Sequence, residues 1–154
     1  MEIIELKKNS HFTEKETTKK AFSDLEKILV AYRGTELSEN SIVKINDLVK
    51  SINSFQESSE RKYRRKLLIT RSNIIQLIVK EHGIVPEKYY QKQWFVLGIV
   101  TFGIPIGIIF STAIGNISML AVGYPLGMLI GSMIGKQKDE KAKKEGKQIN
   151  LSLN

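Results

Sequence analysis

Apolar residues recur at helical spacing through the first half of the chain. From Trp94 to Gly135 they give way to a stretch without a single Asp, Glu, Lys, Arg or His. The opening patch, Glu2-Ile3-Ile4-Glu5-Leu6, is too brief to assign to an element. Thr13-Glu14-Lys15-Glu16 then fits a capping box, in which Thr and Glu satisfy each other's orphan amides at a helix start. Ala21, Phe22, Leu25, Ile28, Leu29 and Tyr32 follow as one stripe of an amphipathic helix, and Gly34 is its expected stop. Ser38 is the expected cap of a second helix, with Ile42, Ile45, Leu48, Val49, Ile52 and Phe55 as its stripe. Ser58 is placed to cap a third helix running to His82, with Tyr63, Leu67, Ile74, Leu77 and Ile78 facing inward and Gly83 ending it. Pro86 suits the first turn of a further helix. Three such helices predict a small bundle that is only marginally able to hold a core alone.

The uncharged stretch predicts two membrane spans. Residues 94–114 give about 31 Å of helix at 1.5 Å per residue, close to the thickness of a hydrocarbon core of about 30 Å. Gly115-Asn116-Ile117-Ser118 supplies a turn, and 117–134 gives a shorter second span of about 27 Å. The rival reading, a hairpin buried in a soluble core, conflicts with so long a run lacking ionisable groups.

Small residues recur every fourth position in each span: Gly103, Gly107, Ser111 and Gly115, then Gly123, Gly127, Gly131 and Gly135. In lipid, helices associate through close backbone approach and dispersion, so two such ladders predict tight packing. The motif Gly-x-Pro-x-Gly also occurs twice, and Pro105 and Pro125 fall at similar depth in an antiparallel hairpin. Each proline removes a hydrogen bond to the carbonyl four residues earlier, at Thr101 and Ala121, so helix kinks are expected. Paired interruptions can also mark a transport site, but the midplane offers no charge for ion coupling.

Charge fixes the expected orientation. The net +8 divides into −2 for residues 1–60, +7 for 61–92 and +3 for 136–147, so the excess flanks the apolar gap. Both termini are therefore expected in the cytoplasm, with 115–118 on the far side. Lys88, Tyr89, Tyr90, Lys92 and Trp94 form the expected interfacial belt at one edge, and Lys136 and Lys138 anchor the other. The run Arg61-Lys62-Tyr63-Arg64-Arg65-Lys66 reads either as a solvated helical turn or as a contact with anionic lipid. Nucleic acid is disfavoured because the basic residues track the edges of the apolar segment instead of covering one folded face. The first 20 residues are polar, so no cleavable signal is expected.

The predicted fold is thus an all-α membrane protein. Residues 1–83 form a cytoplasmic three-helix bundle, 84–93 a connector, 94–135 a two-helix transmembrane hairpin, and 136–154 a basic cytoplasmic tail fraying from a helical extension. The two ladders make the chain resemble bacterial glycine-zipper membrane proteins over about a quarter of its length. That resemblance implies helix association in a membrane, in some members with oligomeric pores, and the expected location is the bacterial inner membrane with both termini cytoplasmic.

Catalytic chemistry is not signalled. There is no cysteine, and His11 and His82 lie far apart. Gly131-Ser132-Met133-Ile134-Gly135 lacks the strand-turn-helix context of a nucleophile, and neither a phosphate loop nor a metal-ligand spacing occurs. Neither enzymatic activity nor a cofactor is expected. The leading reading is a membrane protein, in contact with anionic lipids, that self-associates into a homo-oligomer through its glycine-ladder transmembrane helices and presents a cytoplasmic helical scaffold or sensor to a cytoplasmic protein partner. The alternatives are a pore-forming or membrane-permeabilising effector, such as a toxin, defence or holin-like protein, and a membrane-anchored adaptor for protein or nucleic acid.

Overall fold

The computed structural model describes residues 2–8, 15–55 and 59–152. The chain is mostly helical and divides into two compact units, Met1–Val85 with Ile149–Asn154, and Pro86–Gln148.

The first unit contains α1 (Glu16–Arg33), α2 (Glu39–Asn53) and α3 (Glu60–His82). All six residues of the expected α1 stripe are buried, together with Ile45, Val49 and Ile52 of α2 and Tyr63, Leu67, Ile74 and Ile78 of α3. Ile42, Leu48, Phe55 and Leu77 are half-buried at the margins, while Thr70 and Ile75 join the interior. Burial of this kind contributes about 1.5–3 kcal/mol for each large aliphatic or aromatic side chain.

Polar groups tie the bundle at defined points. Arg71 Nη1 on α3 lies 3.0 Å from Asp24 Oδ2 on α1, and Thr18 Oγ1 donates to Glu60 Oε1 at 2.8 Å. The Glu60 carboxyl is held below its ordinary range, first by that Thr18 hydrogen bond and then by Lys15. The apolar patch at the N-terminus is extended chain clamped to α2 by two asparagines. Asn46 bonds Ile4 N and Glu2 O at 2.9 and 3.0 Å, and Asn53 bonds Lys7 N and Glu5 O at 2.8 and 3.0 Å. Seven residues on a helix are close to two full turns, so the two amides face the same way and match successive rungs of extended chain.

Helix boundaries depart from expectation in several places. Thr13, Ser58 and His11 lie outside the described residues. Ser38 does cap α2, accepting from Ser41 N at 3.3 Å. At α3 the cap position is Ser59, without a side-chain cap bond. Gly83 takes the left-handed conformation (φ 69°) that closes α3, whereas Gly34 has an ordinary φ of −81°. Pro86 does not open a helix. It lies in the strand β1 (Val85–Glu87), which pairs with β2 (Gln148–Ser152) in a two-stranded sheet. A residue without an N–H is tolerated in so short a strand, and Lys88, at φ 57°, turns the chain into the next helix. Strand β2 also replaces much of the expected fraying tail: helix continues to Lys144, and Leu151 is buried.

The second unit is a hairpin of two long rods. The first runs through α4 (Tyr89–Gly98), a π-helical turn (Ile99–Gly103) and α5 (Ile104–Ile114). The second begins as a 3₁₀ segment (Ile117–Val122) and continues as α6 (Gly123–Lys144). Gly115, at φ 70°, closes α5, and Asn116 Oδ1 accepts from Ser118 N at 3.0 Å to start the return.

Candidate functional site

The hairpin buries its backbone and exposes its side chains. From Trp94 to Gly135 every buried residue is a glycine: Gly98, Gly103, Gly107, Gly123, Gly127, Gly131 and Gly135. Phe95, Val96, Val100, Ile108, Ile109, Phe110, Ile114, Leu129 and Met133 all point outward, with Ile109 at 64% and Met133 at 66% exposure. The rods span 26 and 28 residues and are long and apolar enough to cross a bilayer, yet only 17% of each apolar window is buried. A soluble core helix of that composition would be mostly covered.

The glycines of one rod press on those of the other. A Cβ on Gly127 would stand 2.6 Å from the Gly103 Cα, one on Gly131 2.9 Å from the Gly98 Cα, and one on Gly123 2.8 Å from the Gly107 Cα. At Gly135 the added carbon would lie 2.6 Å from the Tyr90 carbonyl oxygen. Even alanine is therefore too large for this seam. Backbones this close gain dispersion energy from many atom pairs at once. Two rungs expected from spacing do not take part in this way. Gly115 is exposed at the turn with nothing near it, and Ser111 is half-buried. One rung, Gly98, breaks the four-residue spacing and was not expected.

The π turn explains Gly98. Pro105 offers no N–H, and its ring crowds the carbonyl four residues earlier. The chain answers with a wide turn in which Ile104 N–H donates to the Ile99 carbonyl, five residues back. One extra residue is absorbed, so Gly98 and Gly103, five apart, come to the same side. Pro125 is met in the opposite sense, by the tight 3₁₀ segment that ends three residues before it. Both prolines thus fall in the first turn of an α-helical segment, where a missing N–H costs little.

Several polar groups of the hairpin bond within their own helix or to the other rod. Thr101 Oγ1 donates to Leu97 O at 2.9 Å, and Thr112 Oγ1 to Ile108 O at 2.9 Å, although both residues are exposed. Ser132 Oγ accepts from Gln91 Nε2 at 3.0 Å. At the open end, buried Asp139 places Oδ1 3.0 Å from Tyr90 N and Oδ2 2.9 Å from Gln91 N. One helix thereby supplies the carboxylate that caps the first turn of the other, the end where negative charge is favoured. Lys138 Nζ lies 5.5 Å from the Trp94 ring and 6.0 Å from the Tyr90 ring, and Tyr89 packs edge-on to Tyr90 at 5.3 Å. Lys88, Lys92 and Lys136 are exposed around this cluster.

In the first unit, Arg61, Lys62 and Arg65 are exposed, Arg64 and Lys66 are half-buried, and Lys66 Nζ sits 5.6 Å from the Phe55 ring. His82 joins a polar joint between α2 and α3. Its Nε2 lies 2.8 Å from Ser41 Oγ, which also meets Ser38 Oγ at 2.9 Å and the Glu81 carboxylate. Lys44 completes the joint at 2.6 Å from Glu81 Oε1, and with Ser41 it draws the Glu81 carboxyl below its ordinary range. Ser41 is fully buried and directs its hydroxyl at a carboxylate, so the group fastens α2 to α3. Among the described residues no three His, Asp or Glu side chains gather in a metal-holding arrangement. No family model, curated protein or solved structure matches this chain.

Proposed function

We propose that the chain is a two-span integral membrane protein whose hairpin anchors a folded helical unit, acting as a scaffold or sensor on the side of both termini. One observation carries this reading. Across Trp94–Gly135 burial is confined to glycine, while large apolar side chains face outward. Acyl chains are the solvent in which that arrangement is stable, because outward Ile, Val and Phe need no partner there. The return of Thr101 and Thr112 hydroxyls to their own helix supports the same solvent. The lysines at both edges and the uncharged turn favour a cytoplasmic position for both ends.

The mated ladders bear on assembly. Each ladder closes on the other within one chain, so copies would associate through the outward apolar faces. Cysteine-free sequence makes the topology directly testable. Single cysteines at Glu5, Asn116 and Lys143, probed with a membrane-impermeant maleimide in sealed vesicles, should label Glu5→Cys and Lys143→Cys from one side and Asn116→Cys from the other. A monodisperse protein in detergent-free buffer, with all three positions equally reactive, would overturn the reading.

A further inference from the structure

The outward face of α3 combines cations with exposed aliphatic side chains. Arg61, Lys62, Arg65, Leu68, Ile69, Ser72, Asn73 and Gln76 are all exposed, and at 100° per residue they occupy one side of the helix. Leu68 is 39% and Ile69 49% exposed, one turn beyond the cations. Between Arg61 and Lys80 the helix contains no acidic residue. The acids that bracket it are engaged elsewhere, Glu60 with Thr18 and Lys15, and Glu81 with Ser41 and Lys44. Arg71 turns inward to Asp24 and does not contribute to this face.

Two features of the face, taken together, bear on what it meets. Arg61 and Lys62 occupy the first turn of α3, where the helix dipole disfavours positive charge. Leu68 and Ile69 leave aliphatic surface in water beside them, although the same helix buries Leu67, Ile74, Ile75 and Ile78. Exposed cations and exposed aliphatic side chains set side by side are both favourable against one kind of surface: anionic headgroups above, acyl chains beneath.

We infer that the α3 face built from Arg61, Lys62, Arg65, Leu68 and Ile69 docks on the anionic surface of the bilayer, the cations on lipid phosphates and the two aliphatic residues at the acyl boundary. The inference rests on the two-span reading, because the hairpin keeps the unit at high effective concentration over the membrane. Charge complementarity selects the anionic lipid, and exposed Leu68 and Ile69 favour a bilayer over a nucleic acid, which would offer them no apolar contact. Each cation at such a surface multiplies the docked population by about fivefold, so removing three should lower it by roughly 100-fold.

The test uses full-length protein in nanodiscs with an environment-sensitive fluorophore at Ile69→Cys and lipid-attached quenchers. A parallel protein carries the label at Phe110→Cys in the hairpin. The Ile69 label should be quenched in discs containing phosphatidylglycerol, and much less in pure phosphatidylcholine or at high salt. Arg61→Gln/Lys62→Gln/Arg65→Gln should abolish that quenching while leaving Phe110 quenching unchanged. Quenching at Phe110 with none at Ile69 in any disc overturns this inference and leaves the two-span reading standing. Absence of both overturns the two-span reading itself. Equal Ile69 quenching in neutral and anionic discs removes the electrostatic basis. A response to single-stranded oligonucleotide but not to anionic lipid assigns the face to nucleic acid instead.

Discussion

The two units of this chain solve the packing problem in opposite ways. The helical unit hides Leu25, Ile28, Ile45, Leu67 and Ile78 at 0% exposure and leaves most of its charged side chains outside. In the hairpin between Trp94 and Gly135, comparably large residues face outward and the buried residues are all glycine. The difference teaches what drives each. In the first unit, burial of apolar area sets the free energy and a missing methylene leaves a void. In the second, approach distance sets it, and one added methyl separates the backbones.

Enlarging the seam should have the largest effect. Gly127→Leu places a side chain where the Gly103 Cα lies within 2.6 Å of a bare Cβ. Spin labels on Gln93→Cys and Lys136→Cys should report a short, narrow distance distribution in the parent and a long, broad one in this variant. Ile109→Leu, facing outward, should change nothing, and equal responses would dissolve the contrast between the units.

The next effect belongs to the other unit and has the opposite sign of volume change. Leu67→Ala should cost about 2–5 kcal/mol in the unfolding of the helical unit, followed by urea titration in lipid, with the label distance across the hairpin unaltered. Asp139→Ala should cost about 1–2 kcal/mol, as loss of a helix cap does, and only at the open end. Faster hydrogen exchange at the Tyr90 and Gln91 amides, with slow exchange retained near Gly107 and Gly123, would locate it.

The smallest effect is acid sensitivity confined to the helical unit. Glu60 and Glu81 sit below their ordinary value of 4.5, chiefly through hydrogen bonds from Thr18 in one case and Lys44 in the other. A depressed carboxyl contributes stability above its unfolded value and loses it as pH falls through the folded one. The unit should therefore weaken below about pH 4.5, and Glu81→Gln should flatten part of that slope. Unchanged pH dependence in Glu60→Gln/Glu81→Gln would show that other carboxylates carry it.

Much of this architecture is legible from residue order alone. The α1 stripe is buried as a block because helical periodicity against water leaves Ala21 through Tyr32 no other arrangement. The paired ladders announce close packing for an equally simple reason, the lack of any side chain on Gly123, Gly127 and Gly131. What is not legible depends on partners distant in sequence or on local winding. The extended residues 2–8 acquire their place through partners far along the chain, Arg33 on α1 and Asn46 and Asn53 on α2. Asp139, amid alternating charges, looks like solvated surface until it meets the amides of Tyr90 and Gln91. Gly98 escapes a four-residue pattern because a π turn shifts the register, and its signal is the proline seven residues later.

The all-glycine seam also constrains how this chain can change over time. In an ordinary core, a substitution that adds volume can be rescued by a neighbour that gives some up. A Cβ added at Gly98, Gly103 or Gly107 would meet backbone atoms of Gly127, Gly123 and Leu120, which no exchange of side chains can withdraw, so no complementary substitution is open to them. Selection for revertants of Gly131→Ala should therefore recover glycine itself, while positions such as Ile109 and Met133 drift freely among apolar alternatives.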